Sequence, residues 1–75
     1  MKANLHPECL LNMLREVRKP KLAEADYLVE TALDLGVDVT PFRQYRQALR
    51  DITKHYQSPE GVQWPQKPSL PQASA

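Results

Sequence analysis

Phe42, Tyr45, Leu49, Ile52 and Tyr56 recur at alternating spacings of three and four. On a helix that spacing gathers five large side chains into one stripe, and such a stripe has to be covered. The start of this helix is marked by Thr40 followed by Pro41. A threonine oxygen can accept an orphan amide, and proline at the first helical position gives up no hydrogen bond. Its end is expected near Gln57, because Ser58-Pro59-Glu60-Gly61 is turn chemistry. Beyond it, Val62-Gln63-Trp64-Pro65 and Lys67-Pro68 cannot continue a helix and are expected to run extended.

Upstream of Thr40 the pattern is again helical. Pro7 suits a first turn, with Glu8 favourable to the dipole, and Leu10, Leu11, Met13, Leu14 and Val17 supply an apolar face. Proline disfavours helical geometry in the residue before it, so Lys19-Pro20 is expected to break or kink this helix. A second helix follows from about Lys21 to Leu35, with Gly36 as a left-handed stop and Val37 folding back on the last turn. Residues 1–57 therefore read as a helical domain with helices over about 7–18, 21–35 and 41–57, and residues 58–75 as a Trp/Pro tail. Four of the seven prolines lie after Tyr56, and no repeat or low-complexity tract is apparent. The fold class is all-α: an antiparallel hairpin, an additional N-terminal helix, and an extended Pro-rich tail.

The apolar stripe has a matching partner. Ala25, Leu28, Ala32 and Leu35 form a stripe on the preceding helix. Folding the chain back around residue 38 sets Leu35 against Phe42, Ala32 against Tyr45, Leu28 against Leu49 and Ala25 against Ile52. Small residues then oppose large ones, which is how facing helices fill space. The same fold carries Asp34 towards Arg43, Glu30 towards Arg46 and Asp26 towards Arg50. Exposed pairs contribute only about 0.2–1 kcal/mol each, but a slipped hairpin would leave like charges together.

A chain of 75 residues is one domain at most and marginal unless its helices pack regularly or a partner covers them. Its formal net charge of +1 calls for neither nucleic acid nor an anionic membrane. No apolar run approaches transmembrane length, and MKANLHPECL lacks the apolar core of a signal peptide. Cys9 is the single cysteine, which fits a reduced cytoplasmic setting, and is expected to be a buried or half-buried small side chain. His6 and His55 are far apart and offer no metal spacing, and Gly36 and Gly61 make no phosphate cradle. Neither an enzyme nor a cofactor is expected. The competing class is a small helix-turn-helix DNA-binding protein, with Ala32–Val37 as the turn and Arg43, Gln44, Arg46, Gln47 and Arg50 on the recognition helix. The acidic residues placed to quench those arginines argue against it.

Tyr45-Arg46-Gln47-Ala48-Leu49-Arg50-Asp51-Ile52, followed by Trp64-Pro65 and Lys67-Pro68, resembles the C-terminal signature of phage tail assembly chaperone proteins. A looser version closes the tail fibre assembly chaperones. Upstream, Arg15-x-x-Arg18, Leu22 and Asp26-Tyr27 are similar to that family's basic helix and Asp-aromatic pair, so the likeness runs from Arg15 to Pro68. Pro20 and Tyr27 depart from the pattern, Tyr27 standing where tryptophan is common. The resemblance implies a non-catalytic bacteriophage or prophage protein that binds another phage tail protein: a tail fibre, baseplate or tape-measure component. It would act in the host bacterial cytoplasm during assembly. The alternative in the same area is a permanent structural subunit of the virion tail or fibre network. Partner contact is assigned to Arg15, Arg18, Lys19, Lys21, Trp64, Pro65, Lys67 and Pro68, and scaffold to Ala25, Leu28, Ala32, Leu35, Phe42, Tyr45, Leu49 and Ile52. The tail has two readings: Val62–Pro65 docks on its own helices with Lys67–Ala75 left free for a partner, or WP-x-KP is a pre-extended peptide for a partner groove. The first is favoured, because the turn at Pro59-Glu60-Gly61 lets Trp64 come back.

Overall fold

The computed structural model describes residues 6–70, which form two helices, α1 over Pro7–Leu35 and α2 over Thr40–His55, followed by a segment with neither helix nor strand. The protein is all-α, and its centre is a helical hairpin: α2 runs back along α1 instead of crossing it as a helix-turn-helix would. At each end the side chains explain the boundary. His6 Nδ1 accepts the Glu8 amide at 3.2 Å and Pro7 opens the first turn of α1. Gly36 closes it at φ +71°, where its amide reaches the Leu33 carbonyl and the Val37 amide the Ala32 carbonyl. That is a Schellman ending, and Val37 packs on the core beneath it.

Of the break or kink expected at Lys19-Pro20, the break is absent, because Pro20 lies inside the single 29-residue helix α1. Proline there removes one ladder hydrogen bond and crowds the turn before it. Both Pro20 and Glu16, whose carbonyl loses its amide, are exposed. Packing continues on both sides of the proline: Leu14 before it and Ala25 after it are each at 0% exposure. Tertiary contact overrides the local preference.

The start of α2 also differs from expectation. Its N-cap residue is Val39, whose carbonyl accepts from Phe42 and Arg43, and the residue before it, Asp38, braces the entry through Oδ1, which accepts the Thr40 amide at 3.0 Å. Thr40 is already helical. This hydrogen bond holds the Asp38 carboxyl below its ordinary range. At the other end Tyr56 leaves the helix in extended geometry, its amide on the Ile52 carbonyl at 2.9 Å.

The core is the seam between the helices. Ala25, Leu28, Val29 and Ala32 come from α1 and Phe42, Tyr45 and Leu49 from α2, with Ile52 also buried further along. Leu35 is 56% exposed and does not face Phe42 as the residue pattern suggested. Its place is taken by Val37 and Val39 of the connection, which pack on the core. The charges show the consequence. Arg46 pairs with Asp26 at 3.4 Å, not with Glu30, and among the described residues no ion pair joins Asp34 to Arg43 or Asp26 to Arg50. Midway between Asp26 and Arg46 lies Gly36, so the chain turns back there and not at residue 38. The facing register moves by about one helical turn.

Because α1 is almost twice as long as α2, its first turns project past the end of α2. Of the apolar face expected there, Leu14 is buried, Leu10 and Leu11 are half-buried, and Met13 and Val17 are exposed. Cys9 is exposed as well, contrary to the expectation of a covered side chain, since α2 does not reach that far.

Candidate partner-binding surface

The basic residues of α1 divide into two groups by the face they occupy. Arg18 points to α2: its Nη1 donates to the Arg50 carbonyl at 3.0 Å and to Thr53 Oγ1 at 3.2 Å. A guanidinium near the C-terminal end of α2 also complements the helix dipole. Its Nε is buried without a hydrogen-bond partner. Lys21, on the next turn, stands over the Trp64 ring with Nζ 5.0 Å from the centroid, within the range of a cation–π contact. Arg15 and Lys19 are four residues apart and exposed; among the described residues Arg15 is held only by Asn12 Oδ1 at 3.3 Å. A shallow depression beside them is lined by Asn12, Arg15, Glu16, Arg18, Lys19 and Leu22. Of the four basic residues of α1 assigned to a partner, Arg18 and Lys21 are thus engaged within the chain, whereas Arg15 and Lys19 are exposed and form no ion pair among the described residues.

The tail returns to the hairpin. Ser58–Gly61 turns with Gly61 at φ +72°, and the Gln63 amide donates to the Tyr56 hydroxyl at 3.4 Å. Trp64 and Leu70 both pack against the core cluster, and Lys67 Nζ lies 3.3 Å from Glu24 Oε2. Residues from Lys67 to Leu70, expected to stay free, are therefore docked; Pro71–Ala75 lie outside the described residues. Pro65 and Pro68 are half-buried.

The three anchoring residues, Trp64, Lys67 and Leu70, are spaced by three. A polyproline II segment has three residues per turn, so that spacing sets all three on one side. In the sequence each is followed by proline: Trp64-Pro65-Gln66, Lys67-Pro68-Ser69, Leu70-Pro71-Gln72; within the described residues the rings of Pro65 and Pro68 fix φ near that conformation. This triplet is the signal that reading for turns and breakers overlooks, and it makes Leu70 and Glu24 part of the surface. Tyr45 of α2 lies under the strap. Desolvation raises the pKa of its hydroxyl; the Glu24 charge adds to this and the Lys67 charge opposes it. Side chains of α1, α2 and the tail meet at this point.

A family model described as phage tail assembly chaperone protein matches residues 11–69. The chain belongs to that family. The match takes in most of α1, all of α2 and the strap as far as Ser69. No curated protein and no solved structure matches the chain. Within this family member, Tyr45, Leu49 and Ile52 are buried, whereas Arg43, Gln44 and Gln47 are exposed. Asp51 accepts from Gln47 Nε2 at 3.0 Å and pairs with Lys54 at 3.3 Å, which together hold its carboxyl below the ordinary range. Among the described residues no group of three or more His, Cys, Asp or Glu is arranged to hold a metal ion. No helix there is long and apolar enough to cross a membrane.

Proposed function

We propose that this chain is a non-catalytic tail assembly chaperone which binds another phage tail protein in the host cytoplasm. A tail fibre, baseplate or tape-measure component would be its client. The observation that carries the reading is the family match, which embraces the hairpin and the strap together. The geometry agrees with it: the chain offers a rigid two-helix support with binding elements on its outside. Arg15 and Lys19 contribute an exposed basic edge, suited to acidic side chains of a client. Trp64, Pro65, Lys67 and Pro68 contribute the strap, while Arg18 and Lys21 hold α2 and the strap in place beside that edge.

The test is reconstitution with individual tail proteins of the same virus. Co-expression should keep one of them soluble and yield a complex that separates by gel filtration. Replacing both Arg15 and Lys19 by glutamate should weaken that complex at least tenfold with the melting temperature unchanged. The chain should be absent from purified particles. Its presence there at fixed stoichiometry would assign it to the permanent structure of the tail instead.

A further inference from the structure

The strap is the one ligand-like segment whose fit to the hairpin is on view, and it defines what the surface beneath it accepts. Lys21 offers a cation to an aromatic face, Glu24 offers an anion to a base one α1 turn away, and the core offers apolar contact to Leu70. Its attachment is light. Among the described residues, apart from the partial burial of Val62, Trp64, Pro65, Pro68 and Leu70, it consists of the Gln63–Tyr56 hydrogen bond at 3.4 Å, the cation–π contact at 5.0 Å and an ion pair whose side chains are 51% and 46% exposed. No helix or strand ladder secures residues 62–70. An extended segment held by side chains alone can be exchanged for another of the same chemistry.

From this we infer that the surface beside Lys21 and Glu24 is a peptide-binding site, called the groove below, which the strap occupies until a partner segment displaces it. The partner segment is an extended, proline-bearing stretch of the client with an aromatic residue, then a base, then an aliphatic residue at intervals of three. A separate protein fits better than a second copy of this chain. Each copy already fills its own groove through a short connection, which acts like a local concentration of roughly millimolar. An identical strap from another copy has no advantage over it, whereas a client with further contacts, such as those at Arg15 and Lys19, does. The inference rests on the chaperone reading for its biological meaning and on the strap contacts for its chemistry.

The experiment uses the full chain, isotope-labelled, titrated with an unlabelled synthetic peptide of residues 61–75. Trp64 is the single tryptophan, so one indole N–H signal reports whether the strap is docked. That signal should move to its random-coil position, half displaced at about millimolar peptide. The Lys21 and Glu24 amides should keep their bound positions. A peptide carrying Trp64→Ala should be at least tenfold weaker. In the Glu24→Lys chain, a Lys67→Glu peptide should displace the strap at a concentration about two- to fivefold lower than the natural peptide needs. An indole signal that stays fixed at several times that peptide concentration overturns the inference. So does equal displacement by the Trp64→Ala peptide, or a strap-exchanged dimer of the chain alone at micromolar concentration. Should the peptide fail while a tail protein still binds, the site is wrong and the chaperone function stands. Should the peptide succeed while no tail protein binds, the groove stands and the function is wrong.

Discussion

The hairpin and the strap cover the same core by different means. The hairpin does so with side chains taken completely out of water: Ala25, Ala32 and Leu49 are at 0% exposure and Phe42 at 3%. Its backbone polar groups are paired in the ladders of two helices, apart from the helix ends. The strap has no backbone ladder, leaves Trp64 and Leu70 half-buried, and supplements them with charges at the rim. Buried apolar area stabilises at about 25 cal/mol per Å², whereas rim charges add only tenths of a kcal/mol. The hairpin is therefore the folding unit. The strap is expected to be a layer that can open without destroying it.

The sharpest way to break that comparison is to damage each region once. Leu49→Ala empties a fully buried site and should cost about 2–5 kcal/mol, unfolding much of the population in mild urea as followed by circular dichroism. Trp64→Ala should cost less, about 1–3 kcal/mol, because the side chain is only partly covered. Its effect should also differ in kind: helical signal retained at low temperature, an earlier melt, and loss of protection confined to the strap side in hydrogen exchange. A Trp64→Ala protein with no helix left would mean that the strap belongs to the folding unit.

How much of this was legible follows from which forces are local. The stripe Phe42–Ile52 and its partner Ala25–Ala32 are readable because burial repeats with the helical period. Leu35 belongs to the same stripe in the sequence, yet it is exposed, since Val37 and Val39 of the connection enter the core ahead of it. No periodicity reveals that a loop will contribute packing, so the fold-back point and the charge pairs were displaced together. Pro20 misleads for a related reason: its local preference is real, but packing by Leu14 and Ala25 outweighs it. Arg18 reads as a partner residue because its acceptors, a backbone carbonyl and Thr53, carry no charge to match. The strap was half legible. Trp64 stands out as an aromatic in a proline tail, whereas Lys67 and Leu70 acquire meaning only when the spacing of three is compared with the polyproline turn.

Smaller changes sharpen the boundary between the two regions. Gly36→Ala meets no atom within 4 Å, so its cost is that of the left-handed backbone at φ +71° alone. About 1–2 kcal/mol is expected, read as a lowered urea midpoint with the Trp64 environment unchanged in the folded baseline. Lys67→Ala removes a pair that is about half exposed on both sides. It should cost about 0.2–1 kcal/mol, diminish further in high salt, and raise the strap's opening rate without touching hairpin stability.

The smallest effect lies at the turn that sets the register. Asp38 accepts the Thr40 amide and its carboxyl pKa is lowered from the ordinary 3.8 by that backbone hydrogen bond first. A carboxyl depressed in the folded state stabilises the fold above its unfolded pKa, and the contribution disappears as pH falls through the folded one. The window is thus from the ordinary carboxylate value downward, and Asp51, lowered by Gln47 and Lys54, loses its share in the same range. Asp38→Asn keeps an oxygen that can accept the Thr40 amide but cannot titrate. The variant should be slightly less stable than the parent at neutral pH and lose less stability on acidification, so that the two converge in acid, measured as the shift of the urea midpoint with pH. The strap has no part in this hydrogen bond, so the indole signal of Trp64 should follow the same acid profile in both proteins while the fold remains intact. A change in that profile would mean that the turn and the strap are coupled, and that the hairpin does not act as an independent support.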